Sequence, residues 1–102
     1  MDPKQLTLSQ FQQLIFDRYE KVDRARGTAR TWMWFIEEIG ELSRALARGD
    51  DRANIEEEFA DVIAWLCTLA NINDVDLAQA VVRKYLAEEP PQGFKGDGPA
   101  EP

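Results

Sequence analysis

The chain has 102 residues, 44% of them hydrophobic and including three Trp and five Phe, enough apolar mass for one compact domain with no room for a second. A formal charge of −7 at pH 7 argues against a broad basic face for a nucleic acid polymer, so an anionic ligand needs a cation as intermediary. Histidine is absent, which removes Ser-His-Asp triads, Cys-His pairs, His-type zinc sites and Glu-x-x-His di-iron bundles, leaving carboxylates, lysine, tyrosine or a bound metal ion for any chemistry.

Helical spacing runs through nearly all of residues 6 to 88 without sustained period-two alternation, and it predicts an all-α fold of four helices. The first opens at "LTLSQF", where Thr7 as N-cap and Gln10 form a capping box. It continues through Phe11, Leu14, Ile15, Tyr19 and Val22 and ends at Gly27. The second starts between Thr28 and Thr31 and runs to Arg48, with Gly49 just past its end. "GDDRAN" turns the chain, and the third helix starts at Asp51 or at Asn54 and ends near Asn71. It carries the single cysteine, Cys67, which inside "VIAWLCTLA" is expected to be a small buried apolar residue. Asp74 is expected to cap the fourth helix, "VDLAQAVVRKYLAEE", which Pro90 and Pro91 stop. Residues 1–89 therefore read as one helical domain and residues 90–102, "PPQGFKGDGPAEP", as a flexible Pro/Gly-rich tail. No apolar run reaches the length of a membrane span and no basic leader precedes one, so a cytoplasmic protein without a membrane partner is expected.

The carboxylates of "EEIGEL" pose the main question, because Glu37, Glu38 and Glu41 repel one another at these helical spacings. At about 100° per residue, Phe35, Ile36, Ile39, Leu42 and Leu46 form one stripe, expected to be the core face of the second helix, with Glu38 the acid nearest its edge. On the third helix Ile55, Phe59, Val62, Ile63, Leu66 and Leu69 form the stripe, and Glu58 and Asp61 share the adjoining face. The short turn makes the two helices an antiparallel pair, so Glu38 and Glu41 can face Glu58 and Asp61 across the seam. Such a set is repulsive without a cation, and all-oxygen ligands suit Mg²⁺ or Mn²⁺. The competing reading is a pair of solvated acidic faces, balanced by Arg44 and Arg48 against Glu41 or Glu37, with Glu56 and Glu57 favouring a helix N-terminus.

"EEIGEL" followed by "EEFADV" resembles the E-E-x-x-E … E-x-x-D signature of the MazG-like nucleotide pyrophosphohydrolases, part of the all-α NTP pyrophosphatase superfamily. The resemblance extends from "RGTARTWMW" through "VVRKY". It implies a four-helix MazG-like bundle that hydrolyses ribo- or deoxynucleoside triphosphates with Mg²⁺ to a monophosphate and pyrophosphate, with housecleaning of non-canonical or excess nucleotides as a role. Carried over, the metal ligands are Glu38, Glu41, Glu58 and Asp61, with Mn²⁺ as a possible substitute for Mg²⁺. Glu37, and behind it Glu57, is left as the candidate catalytic base for water. Lys84, with Arg83 or Tyr85, resembles the family's basic position and would contact substrate phosphate; otherwise Lys84 and Arg83 are ordinary cations of a last helical turn. The resemblance also implies homodimers, or dimers paired into homotetramers.

Three further features bear on substrate. Lys21, Arg24, Arg26 and Arg30 in "KVDRARGTAR" form either a local triphosphate clamp or a solubilising run. Trp34 and Trp65 lie one turn from Glu38 and Asp61 and either stack on a nucleobase or pack in a core or subunit interface, while Trp32 reads as structural. The aromatic load exceeds what one short bundle needs, so a homo-oligomer is expected. The alternatives are a phosphoribosyl-ATP pyrophosphatase, a catalytically silent metal- or nucleotide-binding helical oligomer, and a purely structural one.

Overall fold

Two glycines in the left-handed region, Gly27 at φ +84° and Gly49 at φ +66°, divide the helical sequence where a side-chain-bearing residue would be strained. The computed structural model describes residues 1–87 and holds four α-helices and no strand among them. They are α1 (Leu8–Arg26), α2 (Thr28–Arg48), α3 (Arg52–Ile72) and α4 (Leu77–Tyr85), preceded by a short 3₁₀ turn at Pro3–Gln5. The expected tail at residues 90–102, with Pro90 and Pro91, lies outside the described residues, and α4 ends before it at Tyr85.

The caps follow the sequence at most ends. Thr7 and Gln10 form the reciprocal capping box of α1, each side chain accepting the other's backbone N–H at 3.0 and 2.9 Å. Gly49 closes α2, and the next N–H, from Asp50, donates to the Ala45 carbonyl at 3.0 Å. Of the two candidate starts for α3, Asp51 is the N-cap, its carboxylate accepting the Asn54 N–H at 2.8 Å. The start of α4 differs from expectation. Asp76, and not Asp74, caps it by accepting the Gln79 N–H at 3.1 Å, whereas Asp74 takes φ +57° in the preceding turn and receives Arg24 Nη2 at 2.7 Å.

Helix α3 lies centrally, packed against α2 on one side and α1 on the other, and α4 rests on α1. Gln12 fixes that junction. Its amide donates to Asn71 Oδ1 and to the Val75 carbonyl, and its carbonyl oxygen accepts the Leu77 N–H that opens α4. Cys67 is fully buried, as expected, and burial raises its thiol pKa.

The apolar stripes do not coincide with the core. On α2 the residues turned inward are Thr31, Phe35, Glu38, Leu42 and Ala45, whereas Ile36, Ile39 and Leu46 of the expected core face are exposed. Trp32, expected to be structural, is 51% exposed and meets Phe35 with ring centroids 5.8 Å apart. On α3, Ile55, Val62 and Leu69 turn toward packing neighbours, but Phe59, Ile63 and Leu66 do not. The physical reason is width. Each apolar arc is broader than the strip one neighbouring helix covers, and within one chain nothing covers the remainder.

A buried ion pair ties these helices together. Asp23, near the end of α1, accepts both Arg26 guanidinium nitrogens through one oxygen at 2.7 and 3.1 Å, and Thr68 Oγ of α3 donates to the other at 3.1 Å. Arg26 Nη1 also reaches Thr31 Oγ of α2 at 3.4 Å. The two charged side chains are 9% and 5% exposed, so removing one partner strands the other in a desolvated place. Asp23→Ala is expected to cost about 3–5 kcal/mol of unfolding free energy, read by urea denaturation. A loss below roughly 1 kcal/mol would show that Arg26 finds equal solvation elsewhere.

Candidate metal centre on the helical hairpin

The 3.6-residue repeat sets Trp34, Glu38 and Glu41 along one flank of the inward stripe of α2, and Glu58, Asp61 and Trp65 along the matching flank of α3. Because α2 and α3 run antiparallel, these flanks meet on one side of the hairpin. Carboxylate oxygens of Glu38, Glu58 and Asp61 lie within 4.8 Å of one another. Glu41 stands close enough for its charge to act on both Glu38 and Glu58. Three of the four acids expected as metal ligands thus have oxygens gathered at one seam, and Glu41 is an electrostatic neighbour of that group.

The electrostatics of the seam are unfavourable as it stands. Burial, and then repulsion from Glu41, Asp61 and Glu58, raises the Glu38 pKa above the ordinary glutamate value. Glu58 is raised by desolvation and then by Glu41, Asp61 and Glu57, with Arg44 acting in the opposite direction. Glu38 Oε2 and Glu58 Oε2 are buried with no hydrogen-bond partner. Buried polar atoms are seldom left so, and two carboxylates that each keep an unpartnered oxygen in a cluster gathered within 4.8 Å fit a hard divalent cation.

The other candidates fall in three groups. Glu37 is exposed, next to Glu38 on the outer side of the acidic flank, and Glu57 is exposed beside Glu58. Trp34 and Trp65 meet edge-to-face with centroids 5.7 Å apart, and the Arg26 guanidinium carbon lies 4.6 Å from the first centroid and 5.2 Å from the second. That aromatic pair adjoins the acids and is also part of the packing, with Trp34 still 42% exposed. A hollow of about 300 Å³ lined by Tyr19, Asp23, Ala64, Trp65 and Thr68 opens beside it.

The basic run "KVDRARGTAR" divides differently from a clamp. Arg24 pairs with Glu20 and Asp74, and Arg26 is committed to Asp23, so both are structural. Arg30 is exposed on α2, one turn before Trp34 and on the same flank. Lys84 is carried on α4, which packs on α1, with its Nζ 5.5 Å from the Tyr85 ring centroid, so within one chain it is not gathered with the acids. Arg48 pairs with Asp50 at 3.1 Å, not with Glu41 or Glu37, and Arg44 makes no ion pair among the described residues. The Asp23–Arg26 pair escaped the sequence reading, although Asp23 continues the Ile15–Tyr19 spacing of α1 and a carboxylate on an apolar stripe is a signal for a buried partner.

Residues 26–90 match the family model of the MazG nucleotide pyrophosphohydrolase domain. No curated protein matches the chain.

The raised carboxylate pKa values have a definite consequence for stability without metal. A folded-state pKa above the ordinary glutamate value of 4.5 means that the folded chain holds protons the unfolded chain has released. Stability contributed by these groups is therefore fully present below that value and lost as pH rises through the folded pKa. In chelator-treated protein, Glu38→Gln is expected to raise the urea midpoint near neutral pH, with the gain shrinking as pH falls to the ordinary glutamate value. A difference between the two proteins that is flat with pH would mean that the acids do not burden the fold.

Proposed function

The chain belongs to the MazG nucleotide pyrophosphohydrolase family, and on that footing we propose that it is a Mg²⁺-dependent nucleoside triphosphate pyrophosphohydrolase, cleaving ribo- or deoxynucleoside triphosphates to a monophosphate and pyrophosphate. The observation that carries the reading is the pair of buried, unpartnered oxygens of Glu38 and Glu58 at a seam shared with Asp61 and Glu41. Residues 1–89 are the catalytic domain of this proposal. Glu38, Glu41, Glu58 and Asp61 would hold Mg²⁺, with Mn²⁺ as a substitute. The ion supplies neutralisation of the phosphate oxygens and acidification of water.

The side chains divide the remaining tasks. Glu37, exposed at the edge of the acidic flank, takes the proton from the attacking water. The exposed part of Trp34, with Trp65 behind it, offers an apolar surface for the nucleobase. Arg30 and Lys84 are exposed cations that draw an approaching triphosphate toward the groove through their long-range field, without a fixed contact to its phosphates. Removal of excess or non-canonical nucleotides in the cytoplasm is the role that fits such a reaction.

A second copy of the chain is the proposed partner. Trp32, Ile36, Ile39 and Leu46 of α2, with Phe59, Ile63 and Leu66 of α3, project on the side of the hairpin opposite the acids, with exposures from 39% at Ile39 to 54% at Phe59. An apolar face of this extent calls for a cover, and a two-fold homodimer covers it with itself, leaving the acidic groove open. Among the described residues no helix is long and apolar enough to cross a membrane, so a bilayer-spanning role does not account for this face.

Two measurements test the proposal. A panel of nucleoside triphosphates with Mg²⁺, read separately for pyrophosphate, monophosphate and orthophosphate, is expected to give pyrophosphate. Glu38→Gln and Asp61→Asn should each lower turnover by at least about 100-fold, since even groups that merely orient metal ligands are worth 10–100-fold. Absence of turnover with Mg²⁺ still raising the melting temperature would leave a binding bundle; no effect of Mg²⁺ at all would refute the metal centre. For the partner, Ile39→Asp combined with Ile63→Asp is expected to convert a dimer to a monomer in sedimentation velocity, and an unchanged sedimentation coefficient would place the interface elsewhere.

A further inference from the structure

At the closed end of the hairpin, beyond the acids, lies a cavity of about 550 Å³. Its lining carries both signs of charge. Glu41 and Glu58 of the acidic seam, Arg44 and Arg48 of the last turns of α2, and Asp50, Asp51 and Asn54 at the turn line it, so the two guanidinium groups are its only cations among four carboxylates. Asp50 holds Arg48 at 3.1 Å and is itself held by Asn54 Nδ2 at 3.0 Å, so one contact anchors the guanidinium while most of its N–H donors stay available. Arg44 makes no ion pair among the described residues, yet lies near enough to influence Glu58. Two guanidinium groups bordering metal-suited carboxylates form a surface for a bidentate phosphate anion already carrying a divalent ion.

The hairpin also has a direction. Along α2 the order is Arg30, Trp34, Glu38, Glu41, Arg44, Arg48, and α3 runs back as Asp51, Asn54, Glu58, Asp61, Trp65. The aromatic pair therefore stands at one end of the acids and the arginine-lined cavity at the other. A nucleotide lying along this groove has its base at the tryptophans, and its distal phosphates must then extend toward the turn.

We propose that the cavity at the α2–α3 turn receives the β- and γ-phosphates of the substrate and holds the departing pyrophosphate, with Arg44 and Arg48 as its contact residues. This rests on the pyrophosphohydrolase reading and adds the orientation of the substrate to it. Arg44 is a cation beside a site for a cation, so removing it is expected to favour Mg²⁺ binding; weaker pyrophosphate binding in its absence is then not a loss of metal.

The test is calorimetric titration of inorganic pyrophosphate in the presence of Mg²⁺, with titration of Mg²⁺ alone alongside, on the parent, Arg44→Ala/Arg48→Ala, Arg44→Lys/Arg48→Lys and Arg30→Ala. The alanine pair is expected to weaken pyrophosphate roughly tenfold or more without weakening Mg²⁺, and the lysine pair to recover part of the loss. In hydrolysis assays the same alanine pair should raise the KM for triphosphate and relieve inhibition by pyrophosphate, leaving inhibition by monophosphate unchanged. Pyrophosphate bound equally well by the alanine pair, or weakened by Arg30→Ala instead, overturns the orientation. Parent protein that binds pyrophosphate through Arg44 and Arg48 but hydrolyses no nucleoside triphosphate upholds the cavity and refutes the enzymatic reading, so the two fail separately.

Discussion

The fold is organised around one desolvated carboxylate. Asp23 is almost fully enclosed at the end of α1, and its oxygens are satisfied by Arg26 and by Thr68 of α3. Arg26 in turn reaches Thr31 of α2 and lies over the ring of Trp34 close to Trp65. Three helices are thus positioned by one charge pair whose members cannot relax into water without breaking the rest. Apolar contacts alone are non-directional, and they would allow α1 to slide along α3. A buried bond network selects one register, and that register sets the Arg26 guanidinium of α1 beside Trp34 of α2 and Trp65 of α3.

The α2–α3 seam is the opposite case, a cluster of carboxylates in which one buried oxygen each of Glu38 and Glu58 has no hydrogen-bond partner among the described residues. Glu38 occupies a position on the inward stripe where an apolar residue would stabilise the pair of helices, and Glu58 faces it. Placing carboxylates there lowers stability; under the proposed function it does so in return for a metal centre already assembled before the ion arrives. A flexible cluster on a loop would avoid the repulsion, but it would have to be ordered at each binding event. Here the two helices bear that ordering in advance, and the Gly49 turn holds them in phase.

Much of this was legible in the sequence because it is local. The capping box at Thr7, the glycine at the end of α2 and the carboxylate spacing across "EEIGEL" and "EEFADV" are matters of a few neighbouring residues and the helical repeat. The start of α4 was misplaced by two residues, since Asp74 and Asp76 are equally good caps by type and a contact with Arg24, distant in sequence, engages Asp74. The core was less legible. Helical periodicity locates an apolar arc but not which part of it a neighbour covers, so Ile36, Ile39 and Phe59 read as interior although they face outward in a single chain. The destination of the arginines was not legible at all, because Arg24, Arg26 and Arg48 are alike in composition and differ only in what the fold brings to them.

The three tryptophans are distributed so that the protein's ultraviolet signals separate by location. Trp34 and Trp65 are nearly perpendicular, at 89°, and close enough to couple, with one guanidinium beside both. Trp32 stands on the opposite flank of the hairpin against Phe35. Near-ultraviolet dichroism of the coupled pair is placed to report events in the groove, whereas the emission lost in Trp32→Phe isolates the signal of the apolar face. The parent and that one variant therefore give two optical channels, one for each surface of the hairpin.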